Sequence, residues 1–210
     1  MTAAPVKPIV FVVDDDASMR QALARLFRSV DLEAEAFGST ADMLRHDFPD
    51  VPSCLVLDIR LPGLSGLDFQ AELTKAGIKI PIIFMTGHGD IPMSVKAMKA
   101  GAVDFLTKPF RDQDMLDAVG RAIESDRTRR GSESAMTDVR ARFETLTARE
   151  REIMGLVTTG LMNKQVAAEV GLSLITVKIH RGHIMKKMHA RSLADLVRIA
   201  DALGIRRTQN

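Results

Sequence analysis

The sequence predicts a doubly wound α/β domain on a five-stranded parallel sheet, followed by a small all-α domain. Three observations carry this reading. Short apolar runs stop abruptly at polar residues: IVFVV (9–13) at Asp14 and Asp15, CLVL (54–57) at Asp58, IIFM (82–85) at Thr86, and DFL (104–106) at Thr107 and Lys108. Runs of that length, separated by stretches with helical periodicity, are buried strands of a parallel sheet covered on both faces. Third, charge is divided along the chain. Residues 1–124 hold 13 Lys and Arg against 18 Asp and Glu, net −5, and residues 125–210 hold 16 against 9, net +7.

Strands are expected near 9–14, 32–37, 54–58, 81–86 and 103–106, alternating with helices. Met19, Leu23, Leu26, Phe27 and Val30 recur at helical spacing and mark the first helix, with Asp16 as its cap. Ser39 with Asp42 three residues on forms a capping box for the second. Gly63 and Gly66 punctuate the entry to the third, and Pro92 suits the first turn of the fourth. From about 125 to 143 the hydrophobic pattern thins, Gly131 and several serines intervene, and the stretch reads as a linker that is helical at its ends. Charges there belong to a solvated segment, so Arg129 and Arg130 receive no contact.

Four helical segments follow, over 144–210. Thr147 with Glu150 and Ser192 with Asp195 form capping boxes, Gly160 ends the first segment, Asn163 caps the second, Gly171 breaks it, and Ser173 caps a third running from about Leu174 to Met188. Helix, short turn with Gly, helix is the helix-turn-helix pattern. In the third segment Val177, His180, Ile184 and Met188 form an inward stripe, which makes His180 a partly buried structural histidine. Lys178, Ile179, Gly182, His183 and Lys186 occupy the other face. Such a helix offers its N-terminal part to the major groove, so Lys178 and Ile179 are the candidates for base edges. Thr176, Lys164 and Arg181 are the candidates for phosphates, where they fix register without reading sequence.

Composition narrows the function further. A single cysteine, Cys54, excludes an internal disulfide and reads as a small core residue. No run approaches the ~18 apolar residues of a membrane span, and the first residues carry no secretory leader, so a cytoplasmic protein without membrane partners is expected. In a parallel sheet the ligand site lies beyond the carboxyl ends of the strands, which here brings Asp14, Asp15, Asp58, Thr86 and Lys108 to one edge. Carboxylates held that close call for protonation or a cation, and oxygen-only ligands favour Mg²⁺. Taken singly, each of these residues has a plainer explanation. A lone Asp at a strand end is commonly a cap, a Lys-Pro pair a turn, and Phe105 a core residue. Their joint occurrence in this order removes those explanations.

An acidic pair after the first strand, a lone Asp after the third, Thr after the fourth and Lys108-Pro109 after the fifth resemble the receiver domain of two-component response regulators, over residues 8–124. The stretch TGHGDIPMSVKAMKAGAVDFLTKPF is similar to the FixJ-like branch, and the segment from Leu146 to Val197 resembles the LuxR-type DNA-binding domain. The resemblance implies a flavodoxin-like strand order 2-1-3-4-5. It implies that Asp58 accepts a phosphoryl group from a sensor histidine kinase, with Mg²⁺ held by Asp14, Asp15, Asp58 and the Arg60 carbonyl. Lys108 then pairs with the phosphoryl group, while Thr86, Phe105, Lys108 and Pro109 form the switch, with a cis bond before Pro109. Homodimerisation on phosphorylation, double-stranded DNA and RNA polymerase as partners follow by the same resemblance. So does the absence of enzymatic activity beyond the protein's own phosphoryl transfer and autodephosphorylation. Phe105 stands where most receivers have Tyr, so no hydroxyl reports its inward state, and Gly182 lacks a side chain at a position relatives use for reading. Two rivals remain at this point: a Mg²⁺-dependent aspartyl phosphatase, and a phospho-dependent protein-binding module whose C-terminal helices do not bind DNA.

Overall fold

Strands β1 (Ile9–Val13), β2 (Glu33–Phe37), β3 (Ser53–Asp58), β4 (Ile82–Thr86) and β5 (Asp104–Thr107) pair in parallel in the order β2-β1-β3-β4-β5. The computed structural model describes residues 7–87 and 91–205, so His88, Gly89 and Asp90 of the FixJ-like stretch lie outside the described residues. Helices α1 (Ala17–Ser29), α2 (Thr40–Leu44), α3 (Gly66–Lys75), α4 (Ile91–Lys99) and α5 (Asp112–Glu144) alternate with the strands. The chain divides into two compact units, Met1–Arg130 and Gly131–Asn210.

In β1, β3 and β4 successive side chains enter opposite layers, as the period of two in a strand requires. Phe11, Val13, Leu55, Leu57, Ile82 and Phe84 pack with Met43 of α2, Phe69 and Leu73 of α3 and Ala97 of α4. Val10, Val12, Cys54, Val56, Ile83 and Met85 pack with Leu23 and Phe27 of α1 and Met115, Ala118, Val119 and Ala122 of α5. Every residue of β1, β3 and β4 is buried. Edge strand β2 instead reads EAEAF and is partly exposed, its glutamates discouraging further pairing.

Helix starts follow their caps. The Asp16 side chain accepts from Ser18 N at 2.8 Å, and Ser65 performs the same service for α3. Ser39 caps α2 by accepting from Asp42 N, but the reciprocal half differs from the expected box. The Asp42 carboxylate takes the Ser39 hydroxyl at 2.7 Å, being one methylene too short for a usual return to the cap backbone.

The segment expected as a linker with helical ends is helical throughout, since α5 runs unbroken from Asp112 to Glu144. It contains no proline, and its apolar pattern thins because this stretch faces water, where a helix needs no hydrophobic stripe. Ion pairs at helical spacing support it: Arg127 with Glu124, and Arg129 and Arg130 with Asp126. Arg129 and Arg130 are therefore engaged residues, contrary to expectation. Asp126 is buried and also accepts the Ser53 backbone N–H at 3.0 Å, while Arg130 reaches Asp50.

In the second unit α6 (Ala148–Thr158), α7 (Asn163–Val170), α8 (Leu174–Lys187) and α9 (Leu193–Ala202) surround a core of Ile153, Met154, Val157, Val166, Val177, Ile184, Met188 and Leu196, against which Val139 and Phe143 from the end of α5 pack. The Thr147–Glu150 box forms completely. At α7 the cap is Met162, whose N–H goes to Gln165 Oε1 at 2.8 Å; Asn163 is the first helical residue, and its amide oxygen accepts from Arg181 instead. Ser192 caps α9, but the Asp195 carboxylate turns to Arg191 N at 3.1 Å. Gly171 takes the left-handed conformation, φ 65°, that closes α7 and turns the chain into α8.

Candidate functional site

Strand register assembles the acidic edge. Val13 lies opposite Leu57, so the residues that follow them, Asp14 and Asp58, emerge side by side. Asp58 lies opposite Met85, placing Thr86 one step beyond, and Thr86 lies opposite Thr107, so Lys108 leaves β5 at the same edge. The Lys108 Nζ donates to Asp14 Oδ2 and to Asp58 Oδ2, each at 2.6 Å. The second oxygens are also held: Asp14 Oδ1 accepts Asp16 N at 2.8 Å, and Asp58 Oδ1 accepts Arg60 N at 2.9 Å. Asp15 stands exposed at the rim, and carboxylate oxygens of Asp14, Asp15 and Asp58 lie within 4.8 Å of one another.

Burial pushes the Asp14 carboxyl above its ordinary range, and the like charge of Asp58 adds to this against hydrogen bonds from Lys108 and the Asp16 N–H. For Lys108 burial alone would lower the ammonium, but its bonds to Asp14 and Asp58 outweigh that and hold it above its usual value. One ammonium facing three carboxylates leaves an excess of negative charge. The all-oxygen donor set fits a hard divalent ion such as Mg²⁺ better than a soft one.

The other expected residues sit around this cluster. Thr86 is fully buried at the end of β4, Phe105 is half-buried against the sheet layer that contains Phe84, and the Lys108–Pro109 peptide bond is cis. Arg60 is exposed, and its N–H donates to Asp58 Oδ1. Sequence reasoning missed Arg20. Its Nη1 donates to the carbonyls of Asp14 at 2.6 Å and Asp15 at 2.9 Å, clamping the acidic loop from the first turn of α1. A basic residue six positions after Asp14 on a helix start was the available signal. Gly66 is the second omission of role: its N–H donates to Ile59 O at 2.9 Å, and a Cβ there would lie 2.5 Å from Asp58 O.

On the second unit α8 presents Lys178, Ile179, Gly182, His183 and Lys186 to solvent, with Ile179 53% exposed, while Val177, Ile184 and Met188 are buried. His180 is half-buried, as its place in the inward stripe predicts. Lys164 is exposed on α7. Thr176 and Arg181 are less free than expected. The Thr176 hydroxyl pairs with Ser173 Oγ at 2.8 Å, and Arg181 donates to Asn163. His183 Nδ1 faces Glu150 Oε1 at 3.7 Å. Met162 (68% exposed) and Ile175 (71%), apolar residues near the start of the two helices, were not singled out by pattern. Among the described residues no helix is long and apolar enough to cross a membrane.

Comparison with known proteins agrees with this geometry. Residues 10–120 match the response regulator receiver domain, and residues 144–200 match the bacterial regulatory proteins of the luxR family. The chain is 65% identical over 204 residues to nodulation protein W of Bradyrhizobium diazoefficiens, covering 97% of this chain and 90% of that one. It is 42% identical to the transcriptional regulatory protein FixJ of Azorhizobium caulinodans, covering 93% of each. Among solved structures, the response regulator StyR superposes with a TM-score of 0.84 at 47% identity, covering 93% of this chain and 98% of StyR. Full-length FixJ from B. japonicum gives 0.56 at 37%, covering 96% and 100%. The acidic edge on a 2-1-3-4-5 sheet, joined in one chain to a helix-turn-helix unit and matched along nearly its whole length by such relatives, places this protein among the two-component response regulators of the NarL/FixJ family, in the FixJ-like branch, as a transcriptional regulator with a receiver and a LuxR-type DNA-binding domain.

Proposed function

We propose that Asp58 is the phosphoryl acceptor of this regulator and that its modification controls dimerisation and sequence-specific DNA binding. The observation that carries the reading is Lys108 Nζ bonded at 2.6 Å to both Asp14 and Asp58 at the one edge where four strand ends meet. A carboxylate oxygen of Asp58 attacks the phosphorus of a phosphohistidine on a sensor kinase; the new O–P bond forms as the P–N bond breaks, and the imidazole leaves with a proton. Asp15, Asp58 and the Arg60 carbonyl, with Asp14 acting through water, would hold a Mg²⁺ ion, which would neutralise charge on the transferring group. Water attacks the phosphorus of the acyl phosphate, the O–P bond to Asp58 breaks, and inorganic phosphate leaves as the carboxylate is restored.

Lys108 follows the new charge, since a phosphoryl group adds about −1.5 to −2 and three strong acceptors. The Thr86 hydroxyl donates to it, Phe105 moves into the space that Thr86 leaves, and the surface of α4, β5 and α5 pairs with a second copy. Pairing sets two α8 helices about 34 Å apart, one DNA turn, on a partly palindromic site. Lys178 and Ile179 address base edges beside the uncluttered Gly182, while Lys164, Thr176 and Arg181 hold phosphates. RNA polymerase is then the recipient of the signal at the promoter.

The test uses the full chain with Mg²⁺ and a small phosphodonor. Mass spectrometry should find Asp58 modified, sedimentation should show a dimer, and retention of operator DNA should rise. An unmodified Asp58, or modification that leaves both sedimentation and DNA retention unchanged, overturns the proposal.

A further inference from the structure

A second cluster of metal-ligating side chains lies far in sequence from the acidic edge, on the DNA-binding unit. Glu150, at the start of α6, meets His180 and His183 of α8, and one ligand atom from each of the three lies within 4.8 Å of the others. The histidines are three residues apart and so are neighbours on the helix surface, His180 half-buried and His183 exposed, their rings meeting edge to face with centroids 6.5 Å apart at 89°.

The Glu150 carboxylate is divided between two tasks. Oε2 completes the helix cap by accepting Thr147 N at 2.9 Å and binds Lys187 Nζ at 2.7 Å. Oε1 points the other way, 3.7 Å from His183 Nδ1. That separation is too long for a hydrogen bond. Two ligands that each stand ~2.0–2.1 Å from one tetrahedral ion lie about 3.3–3.4 Å apart, so a shift of a few tenths of an ångström by the exposed His183 ring would seat both on one ion. His180 adds a more telling sign: its Nδ1 is shut off from solvent and has no hydrogen-bond partner. A buried imidazole nitrogen left unpaired is costly, and the same ring offers one of its nitrogens to the cluster with Glu150 and His183. We propose that Glu150, His180 and His183 form a binding site for a divalent transition-metal ion of the zinc class. Two imidazole nitrogens and one carboxylate oxygen are a borderline donor set with a fourth position left for water. This differs in kind from the oxygen-only cluster of the receiver, which suits Mg²⁺. Lys187 keeps the carboxylate ionised and fixed in direction, a supporting contact of the sort that orients metal ligands, while its own charge limits how tightly a cation is held.

The full-length protein, with its acidic edge saturated by excess Mg²⁺, is titrated with Zn²⁺ by calorimetry and with Co²⁺ by visible absorption. Zn²⁺ should bind, and Co²⁺ should develop the ligand-field bands of a four-coordinate nitrogen–oxygen site. His183→Asn removes a ligand whose side chain is 60% exposed, so circular dichroism should match the parent. Zn²⁺ affinity should nevertheless fall about tenfold or more. Asp58→Asn should leave Zn²⁺ binding intact. The proposal is overturned if Zn²⁺ fails to bind beside Mg²⁺, if His183→Asn binds it as tightly as the parent, or if Asp58→Asn abolishes binding. None of these results depends on whether Asp58 accepts a phosphoryl group.

Discussion

Gly66→Ala tests whether Asp58, the proposed phosphoryl acceptor, is positioned by packing at the start of α3. A Cβ built on Gly66 lies 2.5 Å from Asp58 O, 3.0 Å from Ile59 Cα and 3.2 Å from Asp58 C, all of them backbone atoms that cannot rotate aside. To reach the 3.4 Å at which contact becomes ordinary, α3 and the end of β3 must part by about 0.9 Å. Parting stretches the Gly66 N to Ile59 O hydrogen bond, now 2.9 Å. Overpacking of this kind costs ~1–3 kcal/mol, and the rigidity of the obstructing atoms argues for the upper end. Because Asp58 moves with its backbone while Asp14 and Lys108 are anchored elsewhere, its carboxylate is misplaced by a large part of an ångström, enough to slow the proposed phosphoryl transfer by up to ~100-fold. Gly63→Ala is the matched control. It has a left-handed φ of 88° but nothing within 4 Å of its Cβ, so it should cost ~1–2 kcal/mol of conformational strain and leave Asp58 in place. Urea unfolding gives the stability change, and phosphate-affinity electrophoresis after donor treatment gives the rate of Asp58 modification. If Gly66→Ala keeps the parent's urea midpoint and phosphorylation rate, or if Gly63→Ala slows phosphorylation equally, the packing argument fails.

Asp126→Ala should destabilise the receiver by ~2–3 kcal/mol in urea, because it strips the buried Ser53 N–H of its acceptor while Arg129 and Arg130, about 30% exposed, can turn to water. An unchanged midpoint would mean that this carboxylate anchors nothing. Gly131→Ala, at an exposed helical position with open space around the new Cβ, should stabilise the middle of α5 by ~0.5–1 kcal/mol. Amide exchange just beyond it should slow roughly two- to fivefold, and no slowing would contradict a continuous helix. Lys178→Ala should relax base preference at one position of the operator, whereas Lys164→Ala should weaken binding to all sequences and flatten the salt slope by about one unit. Identical behaviour of the two variants across operators would refute the division between base and phosphate contacts.

Much of the receiver was legible because a polar residue that stops an apolar run also marks where a parallel strand meets the ligand edge. Asp14, Asp58, Thr86 and Lys108 could be found that way, and register then made them neighbours. Arg20 could not, since its task depends on where the first turn of α1 aims a guanidinium, and arginines at helix starts are common. The long α5 was missed for a different physical reason. Pattern reading finds helices by the stripe they bury, and between Arg130 and Val139 there is little to bury, so local charge pairing and the lack of proline were the only signals. The caps show how fine the margin is. Thr147 found a glutamate long enough to reach back to its own N–H, while Ser39 and Ser192 found aspartates whose carboxylates settled on other donors.

The same length argument explains why one glutamate can serve two purposes on the DNA-binding unit. Glu150 reaches the cap backbone with Oε2 and keeps Oε1 for the histidine side of α8, which an aspartate at that position would be too short to do. Burial raises the cost of its charge, yet the bonds from Lys187 and Thr147 more than offset this and hold the carboxyl below its usual range. The receiver solves the related problem in the opposite sense: around Asp14 burial dominates, the carboxyl rises, and Lys108 is shared with Asp58 rather than committed to either. A shared cation is the one that can be claimed by new negative charge at Asp58, whereas a committed one, like Lys187, holds a scaffold in place. Signal reception is thus built from an under-compensated cluster, and the reading head from a compensated one.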